Sequence, residues 1–484
     1  MSMATVSVAF ESAELDASAA HGLAVRESAA RTLTAGRVAL VATLTLATLA
    51  FGAVQAWSWG LMTVLAAATL LLWAWAAAGR GLVRIAWTPL YVPGAVFLLV
   101  GFVQFAGHFT ADLAATRESL VKLVADLLIF FLACQLWVSA SPAGFRRLGV
   151  AVTLLACGLA FFSTLQFFAS PGMLYGVVRP RWGGWIFGPY VNHNHYAGLM
   201  EMLIPVALGY VISQRPRREI RARSVVVRAL GPLAILVAVA SVLLSGSRGG
   251  MIALGVEAAL FVLVAGRYLP EARRRRLAVA GIAGVAASAA LFLWLDPGQI
   301  SRRLGAVADL SRAPEATLGE RRELARDALH IFRAHPWTGA GLGSFATVYP
   351  RYRSFASDLE WDHAHNDYAE ALAETGVAGG VAIVVALALF VALAFQNLGE
   401  PLKYGERGGG WIRLGAAIGC CGLLVHSLGD FNLHIPANAA WFAFCAGIAV
   451  GQGASSRRGR NAPNEGIRAP FCETDRVPAM GERL

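Results

Sequence analysis

The chain has 484 residues, of which 57% are hydrophobic and 15% are charged, and it carries a net charge of +11. Its mean hydropathy of +0.57 lies above the range of soluble globular domains, which excludes an ordinary soluble enzyme and favours a polytopic membrane protein. No nucleic-acid-binding motif accompanies the positive charge, so nucleic acid is not expected as a partner.

Apolar runs of about 17 to 25 residues predict transmembrane helices. The predicted spans are residues 38–55, 58–78, 87–107, 121–140, 148–168, 195–213, 230–246, 250–266, 277–295, 377–396, 412–430 and 437–453. The predicted fold class is therefore an all-α polytopic membrane protein with about 12 transmembrane helices.

The predicted spans form two groups separated by a long polar segment. Residues 37–295 hold spans 1–9, and residues 377–453 hold spans 10–12. The intervening segment, 296–376, is predicted to be one large helical loop, and ordered loops of this length usually carry function. The two ends of the chain, 1–36 and 454–484, are predicted to be flexible cytoplasmic tails.

The arginines predict the orientation of these spans, because Lys and Arg in short loops are retained on the cytoplasmic side of a membrane. Alternate loops are rich in them: Arg80, Arg84, Arg146, Arg147, residues 215–228, Arg267, residues 273–276, Lys403, Arg407 and Arg413. This distribution places both termini in the cytoplasm and the 296–376 loop in the periplasm. Most of the histidines fall on that outer side, so we expect the chemistry there.

The large loop contains the segment TLGERRELARDALHIFRAHP, in which Thr317 and Glu320 have the spacing of a helix capping box. Apolar residues then recur as the stripe of an amphipathic helix, and Arg321, Arg322 and Arg326 occupy its polar side. The GAGLGS stretch that follows imitates a nucleotide-binding loop, but no strand precedes it and a tight turn is the better interpretation.

Spans 7 and 8 are joined by SGSRGG, which places Arg248 at the membrane edge. An arginine at membrane depth is costly and tends to mark function. The glycines of this turn would let the backbone approach a ligand closely. The alternative is an arginine that only extends to the membrane interface.

The segment WDHAHNDYAEALAETG sets two histidines before an apolar run. Asp362 is predicted to cap a helix that begins near His363 and ends at Gly376. The positive end of the helix dipole would keep His363 and His365 neutral, whereas neighbouring carboxylates would favour their protonation. The sequence leaves the outcome open. Free N–H groups at the same helix start would also favour a phosphate.

Five motifs of the chain occur in an order that resembles one family. They are GGWIFGPYVNHNHYAGLMEMLIP (183–205), SGSRGG (245–250), ALHIFRAHPWTGAGLGSF (328–345), HAHNDYAEALAETGVAG (363–379) and HSLGDFNLHIPANA (426–439). Together, over residues 170–450, they resemble the O-antigen ligase and polymerase superfamily of bacterial membrane glycosyltransferases. Such enzymes transfer a glycan from an undecaprenyl-diphosphate carrier to a hydroxyl group at the outer face of the inner membrane, without a cofactor or metal.

The resemblance implies roles for particular residues. His365 corresponds to the catalytic base, and Arg248 to an arginine that stabilises the leaving diphosphate. The remaining substrate-binding candidates are Arg181, either Arg321 or Arg322, His363, Asn366, His193 and Asn194. His193 departs from the family pattern, which commonly has proline between the two asparagines.

Several alternatives remain open from the sequence. The acceptor is the lipid A core for a ligase, which we favour slightly, another carrier-linked glycan for a polymerase, or a protein hydroxyl. A polysaccharide transporter and a non-catalytic assembly component are further interpretations. The two HxH pairs together with Asp362 would allow a transition metal, although neither pair has the spacing of a known metal cluster. His426 and Asp430, four residues apart, are interpreted as an intramembrane pair with a packing or supporting role.

Overall fold

The computed structural model describes residues 4–79, 83, 85–170, 172–180, 185–214, 222–269, 271–272, 274–275, 279, 318–357, 360–396, 402 and 409–451. Across these ranges the regular structure is helical, and β-structure is limited to two isolated bridges. The prediction of an all-α protein is confirmed.

Thirteen α-helices can be followed through the described ranges. They are α1 (Ala4–Leu49), α2 (Ala56–Ala78), α3 (Tyr91–Ala106), α4 (Leu113–Val138), α5 (Pro142–Ala169), α6 (His193–Ser213), α7 (Ala222–Ser245), α8 (Arg248–Ala265), α9 (Leu318–Ala334), α10 (Phe345–Val348), α11 (Asp367–Gln396), α12 (Gly409–His426) and α13 (Pro436–Val450). Short 3-10 helices lie at Phe51–Ala53, Tyr349–Arg351 and Asn432–His434.

Seven of the described helices are long and apolar enough to cross a membrane: Glu27–Leu49 within α1, and α2, α4, α5, α6, α11 and α12. Three shorter apolar helices, Tyr91–Ala106, Leu230–Ser245 and Pro436–Val450, accompany them. The chain is an integral membrane protein. The count of about 12 spans stays a prediction, because most of the ninth predicted span (277–295) lies outside the described residues.

The structure describes the beginning of the chain but not its last residues, so only the prediction for segment 1–36 can be compared with it. Helix α1 begins at Ala4, within the segment 1–36 that was expected to be a tail, and continues into the first predicted span. The predicted tail 454–484 lies outside the described residues, as does the part of the large loop before residue 318.

The start of α11 corrects the sequence prediction. The helix begins at Asp367, not near His363, because the side chain of Asn366 accepts hydrogen bonds from the N–H groups of Tyr368 (3.1 Å) and Ala369 (2.9 Å). His365 has φ 48°, which is left-handed backbone outside any α-helix. Gly376 has φ 63° and ψ −160°, non-helical values at which two helical segments of α11 meet at a kink, and this agrees with the predicted helix end at Gly376.

The part of the large loop that the structure describes has its own small core. The apolar stripe of α9, formed by Leu324, Ala328 and Ile331, packs against residues of α10, of the segment 361–364 and of the start of α11. This confirms the predicted amphipathic helix. The GAGLGS turn is closed by Glu374, whose carboxylate accepts hydrogen bonds from the N–H groups of Gly343 (2.8 Å) and Phe345 (3.0 Å). Those donors therefore serve the protein's own carboxylate.

Candidate functional site

A short loop after α12, residues 427–431, connects the parts of the site. Its Ser427 carbonyl accepts the N–H of Asp367 (3.1 Å), and its Leu428 carbonyl accepts the Asn366 side-chain amide (2.9 Å). The next carbonyl, of Gly429, accepts a hydrogen bond from Arg321 of α9. The loop thereby fixes α9 and the start of α11 to the end of α12.

Asp430, in this loop, is fully buried and lies at the centre of the site. Its carboxylate is 3.5 Å from the Arg321 guanidinium, 3.7 Å from His195 Nε2 and 3.8 Å from His365 Nδ1. Burial alone would raise the pKa of Asp430, but His195 and Arg321 lower it well below the ordinary carboxyl value. A charged carboxylate therefore joins side chains from α6, α9 and the segment before α11.

The structure distinguishes between the two arginines that the sequence left equivalent. Arg321 reaches the 427–431 loop, whereas Arg322 is exposed to solvent. The apolar stripe of α9 could have given this answer, since Arg321 lies three residues before the buried Leu324 and so continues the inward face.

His365 occupies an apolar position beside Asp430. The rings of Phe431 and Trp361 lie edge-on to its imidazole, at centroid distances of 4.8 and 5.7 Å. No described group forms a hydrogen bond with its Nδ1. Burial lowers the pKa of His365 to about 4, and the Asp430 charge only partly opposes this shift. The imidazole is therefore neutral at physiological pH, which resolves the question that the sequence left open.

The other histidine of the motif, His363, has a different environment. Its Nδ1 is 2.7 Å from Oε1 of Glu370, one turn into α11. The second oxygen of Glu370 accepts the N–H of Ala364 (2.7 Å). The His363 ring stacks on Phe431 at 4.3 Å, and 29% of the side chain stays exposed. His363 is thus oriented by a carboxylate and accessible.

Glu370 also faces His434, whose Nε2 is 3.3 Å from Oε1. The Nδ1 of His434 is 2.7 Å from Asp367 Oδ1. Although burial opposes the charged form, Glu370 and Asp367 raise the pKa of His434 to about 10, so it is a cation between two carboxylates.

The donor atoms of His363, Glu370 and His434 lie within 4.8 Å of one another, which is a spacing that could hold a metal ion. The expected metal alternative was two HxH pairs, and the structure instead groups His363 with His434. The 2.7 Å separation of His363 Nδ1 and Glu370 Oε1 is that of a direct hydrogen bond. In the structure these atoms are satisfied by hydrogen bonds between the side chains.

Arg248 is the first residue of α8 and is half-buried. The helix start is capped by Ser247, whose Oγ accepts the N–H of Gly250 (3.1 Å). A Cβ at Gly249 would clash with the imidazole of His426. The glycine at position 249 therefore makes room for the His426 imidazole.

His426 forms its hydrogen bond with Glu201 of α6, at 2.8 Å between Nδ1 and Oε1, and both side chains are buried. The sequence predicted Asp430 as the partner of His426, but the hydrogen-bond partner in the structure is Glu201. The actual partner lies 225 residues earlier in the chain, and no local pattern in the sequence points to it. The pair connects α6, the end of α12 and the turn that carries Arg248.

The remaining predicted residues lie in or before the first turn of α6. His193 is buried and stacks on Trp185 at 4.8 Å, and Asn194 is buried with its N–H bonded to Asn192 (2.8 Å). Both are enclosed by protein, and their roles in substrate binding stay predictions. Arg181 lies outside the described residues.

A family model described as O-antigen ligase matches residues 233–384. The matched range includes Arg248, Arg321, His363, His365 and Glu370. No curated protein matches the chain.

Proposed function

We propose that the chain, whose residues 233–384 match the O-antigen ligase family model, transfers an oligosaccharide or polysaccharide from an undecaprenyl-diphosphate carrier to an acceptor hydroxyl group. The family match supports a ligase- or polymerase-type enzyme of the glycosyltransferase kind acting in a membrane on a lipid-linked glycan. The ligase reaction, with the lipid A core as acceptor, is our finer proposal.

The observation that carries this proposal is the meeting of Arg321 and His365 at Asp430. Transfer from a diphosphate requires a cation near the leaving group and a base near the attacking hydroxyl. The Arg321 guanidinium and the neutral His365 imidazole, which both lie within 4 Å of the Asp430 carboxylate, supply these two groups. Arg248, at the start of α8, is the second cation of the proposed diphosphate site.

In the proposed reaction, His365 takes the proton from the acceptor hydroxyl while the hydroxyl oxygen forms a bond to the anomeric carbon of the donor. The bond from that carbon to the diphosphate oxygen breaks, and its electron pair leaves with the diphosphate. Arg248 and Arg321 stabilise the charge that develops there. An imidazole with a pKa of about 4 is a weak base, but a bound diphosphate raises its proton affinity. Donor binding thus prepares His365 for its role.

The first test is glycan transfer by the purified protein, with His365→Ala compared with the wild type. We expect a loss on the order of 100-fold or more, because a positioned base is removed. His330→Ala, at an exposed histidine of α9, is the matched control and should leave the rate unchanged. Near-normal transfer by His365→Ala would refute the assignment of the base. Added chelator should have no effect.

The choice between ligase and polymerase requires a deletion strain and separation of its polysaccharides. A ligase deletion should accumulate long carrier-linked chains with a bare lipid core. A core capped by a single repeat unit would instead identify a polymerase. Unchanged lipopolysaccharide with loss of another glycan would redirect the proposal to a different acceptor.

The arginine distribution supports an inner-membrane location with the site facing the periplasm. Glu360 is exposed in the segment just before the histidine motif. A Glu360→Cys variant in a cysteine-free background should react with an impermeant reagent added to the outside of cells. Protection of this cysteine in intact cells, with labelling only after lysis, would invert the proposed orientation.

A further inference from the structure

Four side chains of the site form one chain of contacts. Asp367 Oδ1 is 2.7 Å from His434 Nδ1, His434 Nε2 is 3.3 Å from Glu370 Oε1, and the same oxygen is 2.7 Å from His363 Nδ1. Asp367 and Glu370 are buried, whereas the two imidazoles are partly exposed, His434 at 26% and His363 at 29%, and the chain ends at His363. A buried carboxylate that accepts a hydrogen bond from a partly exposed imidazole has the arrangement by which carboxylates orient functional histidines.

Glu370 leaves His363 only one nitrogen for a ligand. A carboxylate accepts hydrogen bonds, so Nδ1 of His363 carries the hydrogen that it donates to Glu370. Nε2 is then the nitrogen through which the exposed part of the ring can meet a substrate. The N–H of Ala364, bonded to the other oxygen of Glu370, fixes the backbone beside the ring and limits its rotation.

The position of His363 relates it to the acceptor side of the reaction. His363 is two residues from His365, and both rings contact Phe431. In the proposed mechanism His365 receives the proton of the acceptor hydroxyl, while the diphosphate lies against the arginines. A sugar hydroxyl both donates and accepts hydrogen bonds, so it can pair with Nε2 in either protonation state of the ring.

We propose that His363 binds a hydroxyl group of the acceptor glycan through Nε2, and that Glu370 is the positioning residue that orients it. The inference rests on the proposed function and extends it to the recognition of the acceptor. His434 and Asp367 hold Glu370 in turn, so the effect of Glu370 on the acceptor is exerted through His363.

Two substitutions of His363 separate its two nitrogens. The amide of asparagine in His363→Asn can replace Nδ1 and keep the bond to Glu370, but it leaves nothing at the position of Nε2. The longer side chain in His363→Gln places an amide near the position of Nε2 and gives up the bond to Glu370. A purely structural histidine would be replaced well by asparagine and poorly by glutamine.

The experiment is steady-state transfer by the purified full-length variants, using a carrier-linked glycan donor and a core glycolipid acceptor, both extracted from cells that lack the protein. For His363→Asn we expect the KM for the acceptor to rise about tenfold, as for the loss of one hydrogen bond to substrate, with the KM for the donor unchanged. His363→Gln should recover part of this loss. His335→Asn, at an exposed histidine just after α9, is the control and should match the wild type.

Glu370→Gln gives a second, independent measurement. It should raise the acceptor KM in the same direction, and the double variant with His363→Asn should be no worse than His363→Asn alone, because both changes act on one contact. A merely structural Glu370 would lower the yield of folded protein without a selective change in acceptor KM.

Three outcomes would overturn the inference: an unchanged acceptor KM in His363→Asn, a selective rise in donor KM, or a stoichiometric metal in the wild type that His363→Asn loses. If the wild type transfers glycan normally and one of these is seen, the proposed function stands and the acceptor contact fails. Absence of transfer by the wild type to any acceptor would refute both.

Discussion

Helices α2 and α6 are both long and apolar enough to cross a membrane, yet they are buried to very different extents. The apolar window of α2 is 33% buried and that of α6 is 83% buried. Leu71 and Trp75 of α2 are 70% and 76% exposed, whereas Glu201 of α6 is completely buried. Hydropathy detects both helices, but only burial distinguishes the outward-facing helix from the one that contributes His195 to the candidate site.

The difference also shows what a central helix must provide. A buried charge is strongly unfavourable unless it has a partner, and α6 and α12 supply each other with one through Glu201 and His426. An outward-facing helix has no such requirement, because its exposed side chains are apolar. Polar residues are therefore concentrated in the centre, where they also position Arg248 and the 427–431 loop.

The strongest test of this contrast is removal of one partner of the central pair. Glu201→Leu should lower the free energy of unfolding by about 3 kcal/mol, because His426 is left buried without its acceptor. Thermal unfolding of the purified protein in detergent would measure the change. Glu201→Gln keeps an acceptor for His426 and should lose clearly less. Equal losses in the two variants would show that the hydrogen bond is not what stabilises the helix pair.

A smaller effect is expected from substitution of Arg321, the residue of α9 that contacts the 427–431 loop. Arg321→Ala should lower kcat/KM for the donor about tenfold or more, since it removes a charged hydrogen-bond donor from the proposed diphosphate site. Arg326→Ala is the matched control on the same helix, because Arg326 is exposed and pairs with Glu323. Equal effects in transfer assays would mean that α9 contributes only its general positive charge.

The pH dependence of the reaction tests the buried position of His365. A base works while it is unprotonated, so activity should fall only as pH decreases towards the pKa of about 4. Between about pH 7 and pH 5.5 the value of kcat/KM should change less than about twofold, whereas a histidine with the ordinary pKa would lose about 90% of its neutral form. An acidic midpoint near 6.5 would show that the free protein exposes this imidazole to water.

The smallest effect is expected for substitutions on the exposed face of α2. Leu71→Ala should change the free energy of unfolding by no more than about 0.5 kcal/mol, because the side chain is mostly exposed and leaves no cavity. The measurement is the one used for Glu201→Leu. A loss comparable to that of Glu201→Leu would mean that α2 packs against another molecule, and the contrast between the two regions would no longer hold.

Much of the fold could be predicted because it depends on patterns within short windows. Apolar runs located the described spans, and the apolar stripe from Leu324 to Ile331 located α9. The start of α11 could not be predicted in this way. Its position depends on the left-handed backbone of His365 and on capping by Asn366, and Asp362 offered an equally good cap by composition.

The candidate site also combines residues that sequence motifs identify with contacts that only the structure shows. The motifs identified His365 and Arg248 as candidates, and the structure locates both without testing their roles. The Glu201–His426 pair and the central place of Asp430 depend on contacts between segments far apart in the chain. Periodicity contains no information on such contacts, so they required the three-dimensional structure.

The ring of Phe431 touches three imidazoles, those of His195, His363 and His365, at 4.7, 4.3 and 4.8 Å. Because one apolar surface supports all three, a change in the packing of one histidine alters the support of the other two. Substitutions at these positions should therefore be epistatic, with combined losses that differ from the sum of the single losses. For evolution, this contact predicts that the three histidines and Phe431 change together rather than as four independent positions.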